Sequence, residues 1–543
     1  MCRVVAVVGR ACVAMTQSEL MRAKAGLAAV FCCSCVGLAA QMSDDPVAVF
    51  TEHPRLFLRA QRIRLLKRER ERASPRWQQL ETLVVGGAPM PEPGFAWALY
   101  YQVTGNQEYG RKAIVWALTS GADIRQQALV FDWCQDLLTE AQRRDLTARL
   151  AKSIADTADS GIPAVRSRTL AAIALYDHAP EAPQRALDAT VHQWWERQMV
   201  PALRAGKSVV ARDDAYALWE LLHAVRDNTN LDLRESVPQF FKDFPIEHLL
   251  SHYPATYDAA ENQYRIGVTL KSGEPDLQVA ARSRVVELAM VALDVNAAES
   301  QVLQGWLMHD HFMLRGTYGA PYEFLWANPY QPGLSYYHVP LIYHNADFGK
   351  LFVRSSWDDD AEWFGYFDGV MQMFSQGHLT PLSAQLQSPP VSLQEAMICF
   401  AGGARKFHFT LEEEEAVFIL GLEPGRTYQV EIDDEEIFEA GTDRGGILEL
   451  DMPRGKPVGV RIKEIADAGQ DGILRRVGNL VAIPVANLPR MDGRDPYATA
   501  VMGSSMDCRT LCMRRSSRVR SAGGTLVTAS RVRAVKKSFA ASW

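Results

Sequence analysis

The chain has 543 residues, too many for a single hydrophobic core, so two or three domains are expected. It is 48% hydrophobic and 22% charged, an ordinary globular composition, and its formal net charge of -6 argues against general nucleic-acid binding. Of nine cysteines, only Cys134 and Cys399 fall in the body of the chain, which excludes a disulfide framework and a cysteine-based zinc site. No metal and no cofactor are expected.

Starting at Met21, MRAKAGLAAVFCCSCVGLAAQ has the parts of a secretory signal: Arg22 and Lys24, an apolar core over 25–38, and small residues at Gly37, Ala39 and Ala40. The core is short for a membrane span, so a secreted or periplasmic protein with no integral span is expected. Residues 1–20 read as an upstream extension with a true start at Met21, and residues 21–40 as the signal peptide.

Residues 46–345 read as helix after helix. Residues 95–103 and 109–118, broken at Gly105 and Asn106, form a helical hairpin. Thr139 and Gln142 have the spacing of a capping box at the start of another helix. Repeated hairpins without a strict sequence repeat predict a closed ring of helix pairs. On the helix over 215–226, Tyr216, Glu220, His223 and Asp227 share one face and Leu218, Leu221, Leu222 and Val225 the other. That first face is predicted to line a polar cleft, with His223 as acid or base, or else to be an ordinary amphipathic surface. Pro238, Pro245 and Pro254 predict short helices or loops over 238–265, a stretch carrying His248, His252, Tyr253, Tyr264 and Arg265.

Residues 306–344 hold four of the 12 histidines and six of the 17 tyrosines, with Arg315, Tyr322, Trp326 and Asn328 among them. Such a mix suits either a sugar-handling groove or an interdomain seam. Residues 346–465 alternate in the manner of strands separated by Pro, Gly and Asp turns, which predicts an antiparallel β-sandwich. In it, Tyr428 is expected to bond back to the backbone. The acidic runs 412–415 and 433–436 lack the spacing of a calcium loop and read as solvated turns. Residues 466–543 form a basic tail with no sustained periodicity, nine Lys/Arg and no acidic residue after position 508.

HPRLFL at 53–58, FAWALYYQVTGNQEYGRKAIVWAL, ALVFDWCQDLLTEAQRRDL and LFVRSSWDDDAEWFGYFDG together resemble the heparinase II/III-like family over roughly residues 51–377. The resemblance implies a multidomain α+β fold, an N-terminal (α/α) toroid followed by an antiparallel β-sandwich, with a substrate cleft between them. It also implies β-elimination on uronic-acid polysaccharides. In that reaction a uronate carboxylate is neutralised, a Tyr or His takes the C5 proton and a Tyr or His protonates the leaving oxygen. The chain departs from the family where an Asn-containing motif is usual: it reads AVRSRTLAAIALYDH, leaving Arg166 or Arg168 as the available cation. The β-domain histidine would be His378.

The resulting expectation is an acidic-polysaccharide lyase acting on uronan or glycosaminoglycan-like chains. A non-catalytic glycan-binding protein and a glycoside hydrolase using Glu220 and Asp227 are the alternatives. The catalytic candidates are Tyr336, Tyr337, His338 and His223. The binding candidates are Arg315, Asn328, Tyr322, Trp326, Tyr216, Tyr264 and Arg265. The oligomeric state stays open.

Overall fold

Helices fill the chain as far as residue 326 because long apolar stretches there are punctuated by caps rather than by alternating polarity. The computed structural model describes residues 47–229, 231–260, 262–271, 273–310, 313–385, 389–402, 404–411, 416–452 and 457–465, with short strands beyond. By its internal contacts the chain divides into residues 1–47 and 48–543, and the described helices and strands all lie in the second unit. The predicted signal peptide lies outside the described residues.

The helices are α1 (Ala60–Glu71), α2 (Pro75–Val85), α3 (Pro93–Thr104), α4 (Gln107–Ala117), α5 (Ile124–Trp133), α6 (Glu140–Ala155) and α7 (Ile162–Leu175). Next comes α8 (Glu181–Asp188), which passes through π-helical turns at Ala189–Met199 into α9 (Val200–Arg204). Then follow α10 (Arg212–Thr229), α11 (Pro238–Leu250), α12 (Leu277–Leu293), α13 (Ala298–His309) and α14 (Gly316–Trp326). The α3–α4 hairpin turns at Gly105, whose φ of +74° is a conformation that favours glycine, and Asn106 Oδ1 caps α4. Thr139 and Gln142 make the predicted capping box on α6.

α3 packs on α5, α5 on α7, α7 on α10, α10 on α12, α12 on α14, and α14 returns to α3. These contacts link six of the helices in a closed circuit. Its members are buried on nearly every side: all residues from Arg125 to Trp133 in α5 are buried, as are most of α10 and α12. Hence α10 differs from the expectation. Its Tyr216–Glu220–His223 face is as buried as its leucine face, because both face other helices.

Residues 238–250 also differ from expectation, forming the 13-residue helix α11. Pro238 stands in the first turn, where its missing N–H is no loss, and Pro245 is absorbed inside the helix. The chain then makes the hairpin β1 (His252–Asp258) and β2 (Gln263–Gly267).

Three sheets come next. A five-stranded antiparallel meander holds β3 (Ile342–Asn345), β4 (Lys350–Arg354), β5 (Trp363–Phe367), β6 (Val370–Ser375) and β7 (His378–Leu382). A second sheet orders β14 (Leu448–Asp451), β11 (Ala416–Leu420), β9 (Ala396–Phe400) and β8 (Val391–Leu393). A third orders β10 (Lys406–Thr410), β15 (Pro457–Glu464), β12 (Thr427–Ile432) and β13 (Glu436–Gly441). Antiparallel pairing prevails, with one departure among the described residues: β9 and β11 run parallel.

The second sheet is the middle layer. Its Ala396, Ile398, Phe400, Phe418 and Leu420 pack with Leu351, Val353 and Phe364 of the first sheet. Its Met397, Cys399, Val417, Ile419 and Leu450 pack with Phe407, Val430, Val458 and Val460 of the third. Burial on both faces explains why AMICF and AVFIL are continuous apolar runs. Tyr428 is fully buried and its hydroxyl accepts the Glu423 N–H at 3.1 Å, the predicted bond to the backbone.

In the basic tail, Arg475–Val477, Leu480–Pro484 and Thr510–Arg514 pair in a small sheet, and Arg518–Arg520 pairs with Leu526–Thr528. The apolar run LVAI at 480–483 is a strand signal that the overall basic composition hides. Among the described residues no helix is long and apolar enough to cross a membrane. Glu412 to Glu415 lie outside the described residues, and Asp433 to Glu435 form the tight β12–β13 turn.

Candidate functional site

The helical part meets the outer face of the first sheet along α11 and the β1–β2 hairpin. Trp363 Nε1 donates to the Leu250 carbonyl at 2.7 Å, Tyr253 donates to Gln372 at 2.9 Å, and Tyr343 donates to Glu247 at 3.0 Å. Beside these contacts is a cavity of about 340 Å³, walled from the helical side by Arg212, Phe244, Glu247 and His248 and from the sheet by Lys350 and Asp368.

The charges in this cavity are unevenly matched. Lys350 pairs with Glu247 at 2.7 Å. Among the described residues Arg212 is bound by neutral groups: its Nη2 donates to the Ser251 hydroxyl at 2.9 Å and carbonyl at 3.1 Å, and its Nη1 lies 3.4 Å from the Ser283 hydroxyl. Burial lowers the Arg212 pKa, although the nearby Glu247 works in the opposite direction. The last residue of β2, Gly267, leaves space for this guanidinium; a Cβ there would lie 2.2 Å from Arg212 Nη1.

From the cavity a chain of alternating charges runs inward. His248 Nε2 is 3.0 Å from Glu287, whose other oxygen takes Arg284 Nη1 at 2.7 Å. Arg284 Nη2 donates to Asp310 at 2.8 Å, and Asp310 pairs with Arg265 at 2.9 Å. Arg265 then reaches Asp359 at 2.8 Å and lies over the Trp306 ring. Burial lowers the pKa of His248, against the pull of Glu287 beside it.

The predicted site residues separate into two groups. Tyr216, Tyr322, Trp326 and His223 meet inside the helix circuit. There Glu220, fully buried, receives Arg125 Nη2 at 2.7 Å, Arg166 Nη1 and the Tyr216 hydroxyl at 2.9 Å. Tyr322 donates to Glu92 at 2.6 Å, and Trp326 Nε1 donates to the Tyr216 hydroxyl at 3.2 Å. Against the cost of burial, the two arginines hold the Glu220 pKa at about 2. A carboxylate so clamped cannot act as a general acid, and Asp227 is paired with Arg226. His223 Nε2 donates to the Ala289 carbonyl at 2.8 Å, and burial takes its pKa down to about 4. It is a core histidine packed on Trp326.

The second group is at the seam. Tyr336 is buried between the edges of Trp306 and Trp357, and Arg265 belongs to the ion chain that starts at His248. Tyr337 is half exposed beside His309, and His338 is exposed. No contact links these residues to Tyr216 or His223 among the described residues. Arg315 is an exposed residue at the start of α14, Asn328 caps a turn through the Tyr330 N–H, and Tyr264 stands opposite Tyr257 in the β1–β2 hairpin. Arg166 is committed to Glu220, Arg168 to the carbonyls of Asp156 and Asp159, and His378 is exposed in β7.

Sequence reasoning missed Arg212, Glu247 and Lys350. The signal available was position: Glu247 stands in α11 within the aromatic and histidine-rich stretch over 238–265, whereas Arg212, which opens α10, lies well before that stretch and joins it only in space.

No family model matches the chain, and neither does any curated protein. Among solved structures, a glycoside hydrolase matches at 9% identity with a TM-score of 0.27, covering 80% of this chain and 80% of that one. A likeness of that size carries nothing about chemistry.

Proposed function

We propose that the protein processes an acidic polysaccharide, taking a uronate unit into the cavity between the helices and the first sheet. The observation that carries this reading is Arg212, a cation in a cavity wall held, among the described residues, by serine and backbone oxygens. A guanidinium so placed has fixed donors ready for a carboxylate, and binding one compensates its lost hydration. Lys350, already paired with Glu247, adds a second positive group across the cavity.

Elimination at C5 fits this arrangement, since neutralising the carboxylate is what makes the adjacent proton removable. Tyr337 and His338, the expected proton-transfer groups, do not line this cavity, and the imidazole that does is His248. Export rests on the sequence signal alone. The glycosidase reading no longer has Glu220 and Asp227 as its acid and base, and would need cavity carboxylates such as Glu247 and Asp368 instead.

The test is a panel of uronans and glycosaminoglycans incubated with the full chain, read by ultraviolet absorbance of the unsaturated uronate and by product mass. Lyase action gives the absorbing product, whereas hydrolysis gives a water-added product without it. Arg212→Gln is expected to weaken turnover of the acidic substrate by about ten- to a hundredfold, the worth of one charge-assisted contact. Equal binding of acidic and neutral glycans by wild type and R212Q would remove the assignment.

A further inference from the structure

Beside the cavity, His248 lies in the last turn of α11, His252 opens β1 and Glu287 stands mid-way along α12. All three are buried, and one ligand-capable atom from each lies within 4.8 Å of the other two. We infer that His248, His252 and Glu287 form a binding site for a first-row divalent metal, zinc above all.

His252 carries the main observation. Its Nδ1–H donates to the His248 carbonyl at 2.6 Å, which leaves the lone pair on Nε2. That Nε2 is buried and has no hydrogen-bond partner among the described residues. A buried acceptor with nothing to accept is costly and rare. An imidazole whose one nitrogen is pinned to a backbone carbonyl while the other is bare has the usual posture of a metal ligand.

Glu287 has the matching outer contacts. Its Oε2 is held by Arg284, which is itself bound to Asp310, while its Oε1 lies 3.0 Å from Nε2 of its fellow ligand His248. Two imidazoles and one carboxylate are a donor set that zinc accepts, and three protein ligands leave a fourth position. Of the three, His248 lines the cavity, so the group borders it. Zinc ligands at about 2.0–2.1 Å from the ion stand roughly 3.3 Å apart in a tetrahedron, so the group must draw in by about 1.5 Å at its widest. Arg212 opposes the ion, whereas the charge of Arg284 is met by Glu287 and Asp310. The affinity should therefore fall below that of closed structural zinc sites.

This inference does not depend on the polysaccharide reading, and its test uses no sugar. Purified full-length protein is stripped with a chelator, dialysed, and titrated with Zn²⁺ and with Co²⁺. One equivalent of saturable Zn²⁺ binding and the visible bands of low-coordinate Co²⁺ are expected. His252→Gln and Glu287→Gln should each weaken binding by about tenfold or more. His178→Ala, which alters a separate group of His53, Asp177 and His178, should leave it unchanged. If the variants do not fold, nitrogen NMR of the wild-type histidines reads the same point, with two of the 12 imidazoles shifting on addition of one equivalent. Absence of saturable binding, or binding lost in H178A and kept in H252Q, overturns the site.

Discussion

Glu220 shows how far a polar residue can be drawn into a helical core when its partners come with it. Its two arginines and one tyrosine leave no bare oxygen, and removing the charge would leave the buried Arg125 to its longer 3.2 Å contact with Glu92. Glu220→Gln is expected to cost about 3–5 kcal/mol in chemical denaturation. Because the folded pKa lies at about 2, below the ordinary 4.5, Glu220 adds stability that is complete above the unfolded value. That contribution declines as pH falls through 4.5 towards 2. His344 has the opposite sign. It bridges Asp443 and Glu449 at 3.0 Å each, and these carboxylates overcome burial to raise its pKa to about 9. Its stabilisation is full below pH 6.5 and is lost as pH rises through 9, at most about 3 kcal/mol. Thermal melts across pH 6–10 should therefore slope downward in wild type and flatten in His344→Gln.

At the scale of elements, the sequence made caps and strands legible and left faces ambiguous. Thr139, Gln142 and the Gly105–Asn106 turn act locally, so their residues alone announce them. The α10 face bearing Tyr216 and His223 reads as a cleft wall because a polar face ordinarily meets water. Here it meets α5, α7, α12 and α14, and only tertiary partners distinguish those two cases. The α11 helix was hidden for a related reason: packing against α13 and the first sheet overrides the cost of Pro245. The register of β1 on β2 sets Gly267 opposite His252, next to Arg212. Gly267→Ala should displace the end of a flexible side chain rather than break the hairpin. Its melting temperature is expected to stay near wild type while acidic-glycan binding weakens as in R212Q, a comparison made by paired melts and binding isotherms.

For the whole molecule, the order of parts was readable and the location of the site was not. A switch from helical to alternating period near residue 345 marks the passage from α14 to β3. The stretch 306–344 stood out by composition, but Trp306 and Tyr336 spend their rings on the seam. The cavity instead draws on residues from Ser208 to Asp368, none of them conspicuous singly. Arg212 and His248 come from helices, Lys350 and Asp368 from the meander. Neither set encloses a cavity without the other. A ligand held there is thus a cross-link between two folded parts, and by mass action its binding energy is added to their docking. Substrate would then do for the seam what a covalent staple does for a small domain, but reversibly and in proportion to its concentration.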